Sequence, residues 1–148
     1  MIIEYQRLDE YVKIPTRSNP SDAGLDVYAH LEEEINVEPG QSVIIPTGLK
    51  FGVPHGYMLQ VMNRSSVAAK RSLVVGAHVI DSGYEGQVFI NLHNIGDKQQ
   101  IVRYGDKIAQ IVMVPVVAFR PQLVETPLYR EPITISDRGD GALGSTDG

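Results

Sequence analysis

Turn-forming residues punctuate this chain at short intervals along most of its length. It carries 14 glycines and 9 prolines in 148 residues, scattered from Pro15 to Gly148. Between them lie short runs of β-branched and other apolar residues: Val43–Ile45, Tyr57–Met62, Val88–Leu92 and Ile108–Val117. Short β-prone runs bounded by turn residues predict an all-β sandwich or barrel. Residues 86–94 alternate cleanly, with Val88, Ile90 and Leu92 on one face and Phe89, Asn91 and His93 on the other. One segment reads as a helix: Ser65 to Arg71 opens with two serines and continues with good helix formers. Glu32-Glu-Glu34 reads as a solvated turn or strand end.

At this length the chain is one domain, since half of it could not close a core. Hydrophobic residues at 43% and charged ones at 21% fit a folded globular protein and exclude a disordered one. With no cysteine, thiol nucleophiles, disulfides and cysteine-bound metals are excluded. Glu4, Asp9 and Glu10 stand where a secretory signal would need apolar residues. The longest apolar run, Ile111 to Phe119, is broken by Pro115 and is far below a membrane span. The expectation is a cytoplasmic protein (host cytoplasm for a viral chain) with no membrane partner. A net charge of −5 argues against a nucleic-acid surface. A local anion site built from a few arginines and N–H groups remains open. Residues 1–136 are expected to form the β-rich domain and residues 137–148 a flexible, glycine-rich tail. That tail is either a frayed end or a flap ordered by an anion.

The four histidines, at 30, 55, 78 and 93, show no metal-binding spacing, and no phosphate loop, nucleophile elbow or dinucleotide motif is present. What remains are polar residues among small ones. Asp26 follows Ala-Gly-Leu; Arg64-Ser65-Ser66 precedes the helix; Asp81 ends the run Val79-Ile80; Gln110 interrupts an apolar strand. Taken singly, an Asp can be a turn former, a Ser a helix cap, and a Gln the outward residue of a strand. Serine hydroxyls and N–H groups beside an arginine can also hold phosphate.

Five ordered segments resemble the homotrimeric dUTP diphosphatases. They are Ser21-Asp-Ala-Gly-Leu-Asp-Val-Tyr-Ala29, Asn63-Arg-Ser-Ser-Val-Ala-Ala-Lys70, Gly76-Ala-His-Val-Ile-Asp-Ser-Gly-Tyr-Glu-Gly86, Tyr104-Gly-Asp-Lys-Ile-Ala-Gln110 and Arg138-Gly-Asp-Gly-Ala-Leu-Gly-Ser-Thr146. Pro39-Gly40 and Pro46-Thr-Gly-Leu49 also resemble the family's intervening segments. The resemblance implies a distorted jelly-roll β-barrel with one short helix after the second motif. It implies a homotrimer with shared active sites, and Mg²⁺ held mainly by the triphosphate. The family reaction is hydrolysis of dUTP to dUMP and pyrophosphate, which limits uracil incorporation into DNA and supplies dUMP for thymidylate synthesis.

Carried over by position, Asp81 is the catalytic carboxylate that orients and activates water, and Tyr84 packs on the deoxyribose. The hairpin from Ala77 to Phe89, with Gly76 and His78 at its start, reads the base largely through its backbone. Arg64, Ser65, Ser66 and Gln110 hold phosphates, and Asp26 contacts metal-bound water or braces the site. Arg138, Leu143, Gly144, Ser145 and Thr146 close over the nucleotide. The chain departs from the family at Gly83, where a second Asp is common, and at His78, Ser66, Lys107 and Leu143. Arg64-Ser-Ser66 and the His78–Gly86 stretch lean toward the related dCTP deaminases, so a deaminase or bifunctional enzyme is the alternative. The deaminase glutamate corresponds here to Asn91, an amide unable to shuttle a proton. A nucleotide-sensing regulator without turnover is the third reading.

Overall fold

The computed structural model describes residues 1–131 and 136–144. Two compact units separate, Met1–Ala118 and Phe119–Gly148. All described strands lie in the first: β1 Tyr5–Arg7, β2 Leu25–Tyr28, β3 Ile35–Val37, β4 Ser42–Pro46, β5 Leu49–Phe51, β6 Tyr57–Met62, β7 Leu73–Val75, β8 Val79–Ile80, β9 Phe89–Asn94, β10 Gln100–Val102 and β11 Lys107–Pro115. One helix, α1 Ser65–Arg71, stands between β6 and β7. The expected all-β jelly roll with its short helix is what forms. The helix begins and ends where its sequence indicates.

A four-stranded sheet in the order β2-β11-β6-β8 and a three-stranded sheet in the order β4-β9-β7 carry most of the fold. Two-stranded pairs β1-β5 and β10-β3 complete it, and every pairing is antiparallel. Both larger sheets feed one apolar core. Val27, Leu59, Val61, Ala109 and Ile111 come from the first sheet, and Ile45, Leu73, Ile90 and Leu92 from the second. The alternation in β9 is resolved as expected: Val88, Ile90 and Leu92 are buried while Phe89 is exposed. Burying each such side chain stabilises by about 1.5–3 kcal/mol, which fixes the strand's register to its pattern.

The helix is anchored by Val67, its one buried residue, and stops at Ser72, whose φ of 53° is left-handed. Arg71 in the last turn ties it to the barrel, donating from Nε to Gln100 Oε1 at 3.1 Å. The expected tail, 137–148, falls within the second unit, where the described residues form no strand or helix. There Arg138 Nε donates to the Gly141 carbonyl at 2.9 Å, closing a local turn.

Candidate active site

Strand register puts the first set of polar residues in one row. Gln110 of β11 lies opposite Asp26 of β2 on one side and Met62 of β6 on the other. Directly opposed residues share a face, so Asp26 and Gln110 point the same way. Arg64 follows two residues after Met62, at the helix entrance. Its Nε donates to Asp26 Oδ1 at 2.8 Å.

A second cation reaches the same carboxylate by a route the alternation hides. In a regular strand Lys107 and Gln110 would face opposite sides, being three residues apart. The β2–β11 register shifts between Lys107 and Ala109, so Lys107 pairs with Tyr28 and Gln110 with Asp26. The bulge brings Lys107 onto the Asp26 face, with Nζ 3.7 Å from Asp26 Oδ2. Asp26, only 13% exposed, is thus held between two cations. Gln110 is fixed as well: Nε2 donates to the Asn63 carbonyl at 2.9 Å. The Gln110 side chain packs against Gly24, leaving no room for a Cβ there.

The helix start completes this pocket. The N-cap is Arg64, and no side chain caps the helix. The reading of Ser65 or Ser66 as a cap is therefore corrected. Both serines lie in the first turn, where backbone N–H groups have no partner within the helix. Asp26, Arg64, Ser65, Ser66 and Gln110 together line a cavity of about 250 Å³, with Ser18, Asp22, Ala23 and Gly24 completing its wall. Guanidinium, hydroxyl and N–H donors converging on one small polar cavity suit an anion with several oxygens.

The third motif lies elsewhere. Gly76 and His78 line a second cavity of about 270 Å³ together with Gln60, Met62 and Asn63. Asn63 joins the two cavities, since its Oδ1 accepts from the Val75 N–H at 2.8 Å while its carbonyl holds Gln110. Beyond β8 the chain turns from Asp81 to Tyr84, with the Tyr84 N–H donating to the Asp81 carbonyl at 3.2 Å. Gly83 has φ +81° in this turn, in the left-handed region that favours glycine. Tyr84 donates its hydroxyl to the Gln87 carbonyl at 2.8 Å, and its ring rests on Gly86. Asp81, Tyr84 and Phe89 are exposed.

Register also measures the separation. Ile80 pairs with Leu59 and Val79 with Gln60, so Asp81 comes level with Met58. Met62, the last residue of β6 and the one opposite Gln110, stands four residues further along, roughly 13 Å at the rise of a strand. Within one chain the structure brings together Asp26, Arg64, Ser65, Ser66 and Gln110, and separately Gly76 and His78. It does not bring Asp81 or Tyr84 to the anion cavity.

In the second unit Arg138 and Gly144 are exposed, as is Leu143, whose φ of 50° is left-handed. Ser145 and Thr146 lie outside the described residues. Lys107 and Asn63 were not singled out as site residues by the sequence, although both sit inside its motifs. Among the described residues, no cluster of three or more His, Asp or Glu could hold a metal ion. No described helix is long and apolar enough to cross a membrane.

The sequence pattern of the family described as dUTPase matches residues 10–147. A deoxyuridine 5'-triphosphate nucleotidohydrolase of Desulfitobacterium hafniense is 39% identical over 147 residues, covering 97% of this chain and 93% of the relative. One from Gloeobacter violaceus is 36% identical over 97% of this chain and 95% of its own. Among solved structures, a mutant of the Staphylococcus bacteriophage 80alpha dUTPase with dUpNHpp superposes with a TM-score of 0.84 at 26% identity, covering 98% of both chains. A mutant dUTPase from phage phi11 of S. aureus, with a structural Mg(II) ion, gives a TM-score of 0.78 over 86% of this chain and 99% of its own.

Proposed function

The chain belongs to the dUTPase family, and from that premise we propose that it hydrolyses dUTP to dUMP and pyrophosphate. The observation carrying this reading is the donor set around the 250 Å³ cavity, which suits a chain of phosphates. Arg64, the two serines and Gln110 hold the triphosphate there. Asp26 orients Arg64 and Lys107 toward it. Asp81 positions the attacking water and takes its proton, while the link between the α- and β-phosphates breaks and pyrophosphate leaves. Tyr84 packs on the sugar face and leaves no room for a 2′-hydroxyl.

Asp81 comes level with Met58, whereas the anion cavity lies at the Met62 end of β6, roughly 13 Å further along the strand in the same chain. That separation supports an active site shared between subunits, in which one protomer's hairpin meets another's anion cavity. We therefore read the protein as a homotrimer, closed by a tail carrying Arg138, Leu143, Gly144, Ser145 and Thr146. Mg²⁺ fits this arrangement only in part through the protein. Both Asp26 oxygens already face cations, Arg64 at 2.8 Å and Lys107 at 3.7 Å, so Asp26 would hold the ion through water and the triphosphate would supply direct ligands. When bound, Mg²⁺ neutralises charge on the phosphates. The reaction belongs in the cytoplasm, with the deoxynucleotide pool.

Deamination is disfavoured by the state of Asn91. Its Nδ2 donates to the Val43 carbonyl at 3.3 Å and its Oδ1 accepts from the Ala77 N–H at 3.3 Å. An amide engaged at both ends moves no proton. The test is pyrophosphate release from dUTP, UTP, dCTP and dTTP, with ammonia measured alongside. Preference for dUTP, slow UTP cleavage and no ammonia are expected; ammonia from dCTP at the rate of pyrophosphate release would overturn the assignment.

A further inference from the structure

One side chain holds the root of the hairpin, where the chain has left β7 and not yet joined β6. The Gly76 N–H donates to the Asn91 carbonyl at 2.9 Å, and the next N–H, that of Ala77, donates to Asn91 Oδ1 at 3.3 Å. The amide is itself fixed. Nδ2 donates to the Val43 carbonyl, and Oδ1 lies 3.0 Å from His93 Nε2. Because Oδ1 accepts from Ala77, it is the acceptor toward His93 too, and His93 carries its proton on Nε2. Flipping the amide would set its NH₂ against the Ala77 N–H and its oxygen against the Val43 carbonyl. Space is closed as well: a Cβ on Gly76 would lie 2.2 Å from Asn91 Oδ1 and 2.4 Å from His93 Nε2.

The opposite edge of the root is held by β6. The Val61 N–H donates to the His78 carbonyl at 2.8 Å, and His78 Nδ1 lies 3.3 Å from the Gly76 carbonyl. Gly76–His78 is therefore tied to β9 through Asn91 and to β6 through Val61. Loosening the first tie leaves the second, so the segment would tilt instead of unfolding.

We propose that Asn91 and His93 form a positioning clamp for the nucleobase. His93 orients the Asn91 amide, and Asn91 sets the placement of the Gly76–His78 backbone on which the choice of base depends. The inference rests on the hairpin's role in reading the base. Neither residue touches substrate in this scheme, so the clamp acts on nucleotide binding and selectivity and leaves the water-activating step alone.

The experiment compares the full-length wild type with Asn91→Ala, His93→Phe and His93→Gln in steady-state pyrophosphate release from dUTP and dCTP. Asn91→Ala and His93→Phe are expected to raise the dUTP KM about five- to tenfold, the scale of one lost hydrogen bond. Their kcat should stay within about twofold and the preference for dUTP over dCTP should narrow. His93→Gln keeps an N–H donor of similar reach and should restore wild-type selectivity. If Asn91→Ala does not fold, the His93→Phe and His93→Gln pair carries the comparison. Unchanged selectivity in His93→Phe, or an equal loss in both His93 variants, would overturn the clamp. A wild type that does not cleave dUTP would overturn the underlying reading instead, before any variant is considered.

Discussion

Two aspartates divide this molecule. Asp26 is nearly enclosed, bonded to Arg64 and faced by Lys107 on a three-strand row. Asp81 stands exposed at the start of a glycine turn, beyond the last paired residue of β8. In the proposed scheme the first carboxylate holds Arg64 and Lys107 in position for a polyanion, and the second, exposed, positions a water molecule. Rigid sheet register suits the first task, because phosphate oxygens must meet several donors at once. A hairpin suits the second, since it can present a carboxylate and an aromatic ring beyond the edge of its own sheet.

The largest expected effect tests the division directly. Asp81→Asn should lower kcat on the order of a hundredfold or more, with little change in nucleotide affinity or thermal stability. Single-turnover kinetics with a parallel binding titration would check it. Near-normal turnover would place the water-activating group elsewhere.

Asp26→Asn should behave in the opposite sense. It leaves Arg64 and Lys107 facing a neutral amide in a partly buried site, at a cost of about 1–3 kcal/mol. Melting temperature should fall, and KM for every nucleotide should rise about tenfold, matching the loss of one charged hydrogen bond. A variant with wild-type melting and a selective loss of kcat would erase the distinction between the two carboxylates.

Smaller effects are expected from one added methyl group in each region. In Gly24→Ala the new Cβ meets Gln110 Oε1 at 2.4 Å and the Ile111 carbonyl at 3.1 Å. Gln110 must move off the Asn63 carbonyl, which should weaken all nucleotides alike by a few fold. In Gly86→Ala the Cβ meets the Tyr84 hydroxyl oxygen at 2.4 Å. The ring must shift, so discrimination between dUTP and UTP should narrow while the anion cavity is untouched. Measuring kcat/KM for both nucleotides separates the outcomes; identical profiles for the two variants would mean the regions are not independent.

Much of this layout was legible because its signals are local. Tyr57–Met62 and Ser65–Arg71 form the strand and helix their sequences indicate, and the inward face of β9 follows from Val88, Ile90 and Leu92. The motif residues of the anion cavity were likewise visible. Lys107 was not, because a bulge resets alternation by one residue and nothing in Tyr104-Gly-Asp-Lys-Ile announces it. Asn63 was hidden because its two bonds reach different strands. The edge strand β1 escaped notice because Tyr5–Arg7 is exposed along its whole length and shows no alternation. Distance between motifs was also illegible: sequence order gives no hint that Asp81 comes level with Met58.

The smallest expected effect lies outside both regions and supplies their baseline. Asp9 accepts the Tyr11 N–H at 2.8 Å through Oδ1, and its Oδ2 lies 3.0 Å from His30 Nε2. The Tyr11 backbone bond, with a further contribution from His30, holds the Asp9 carboxyl below its ordinary value. A carboxyl lowered in the folded state binds fewer protons there than in the unfolded chain. Its stabilising contribution is therefore present above the ordinary Asp range, about pH 4, and is lost as pH falls through the lower folded value. Asp9→Asn removes that titration. The melting temperature of the variant should lie slightly below wild type near neutral pH, and the gap should narrow as pH falls below the ordinary Asp range. Because Asp9 is exposed, the gap should be small and should shrink further in high salt. Activity toward dUTP at neutral pH should not change, as neither the Asp26 row nor the hairpin is touched. A gap that stays constant as pH falls well below the ordinary Asp range would show that Asp9 is not coupled to folding. A loss of activity at neutral pH would make the N-terminal segment a third working part of the site, and the two-carboxylate division would no longer describe the molecule.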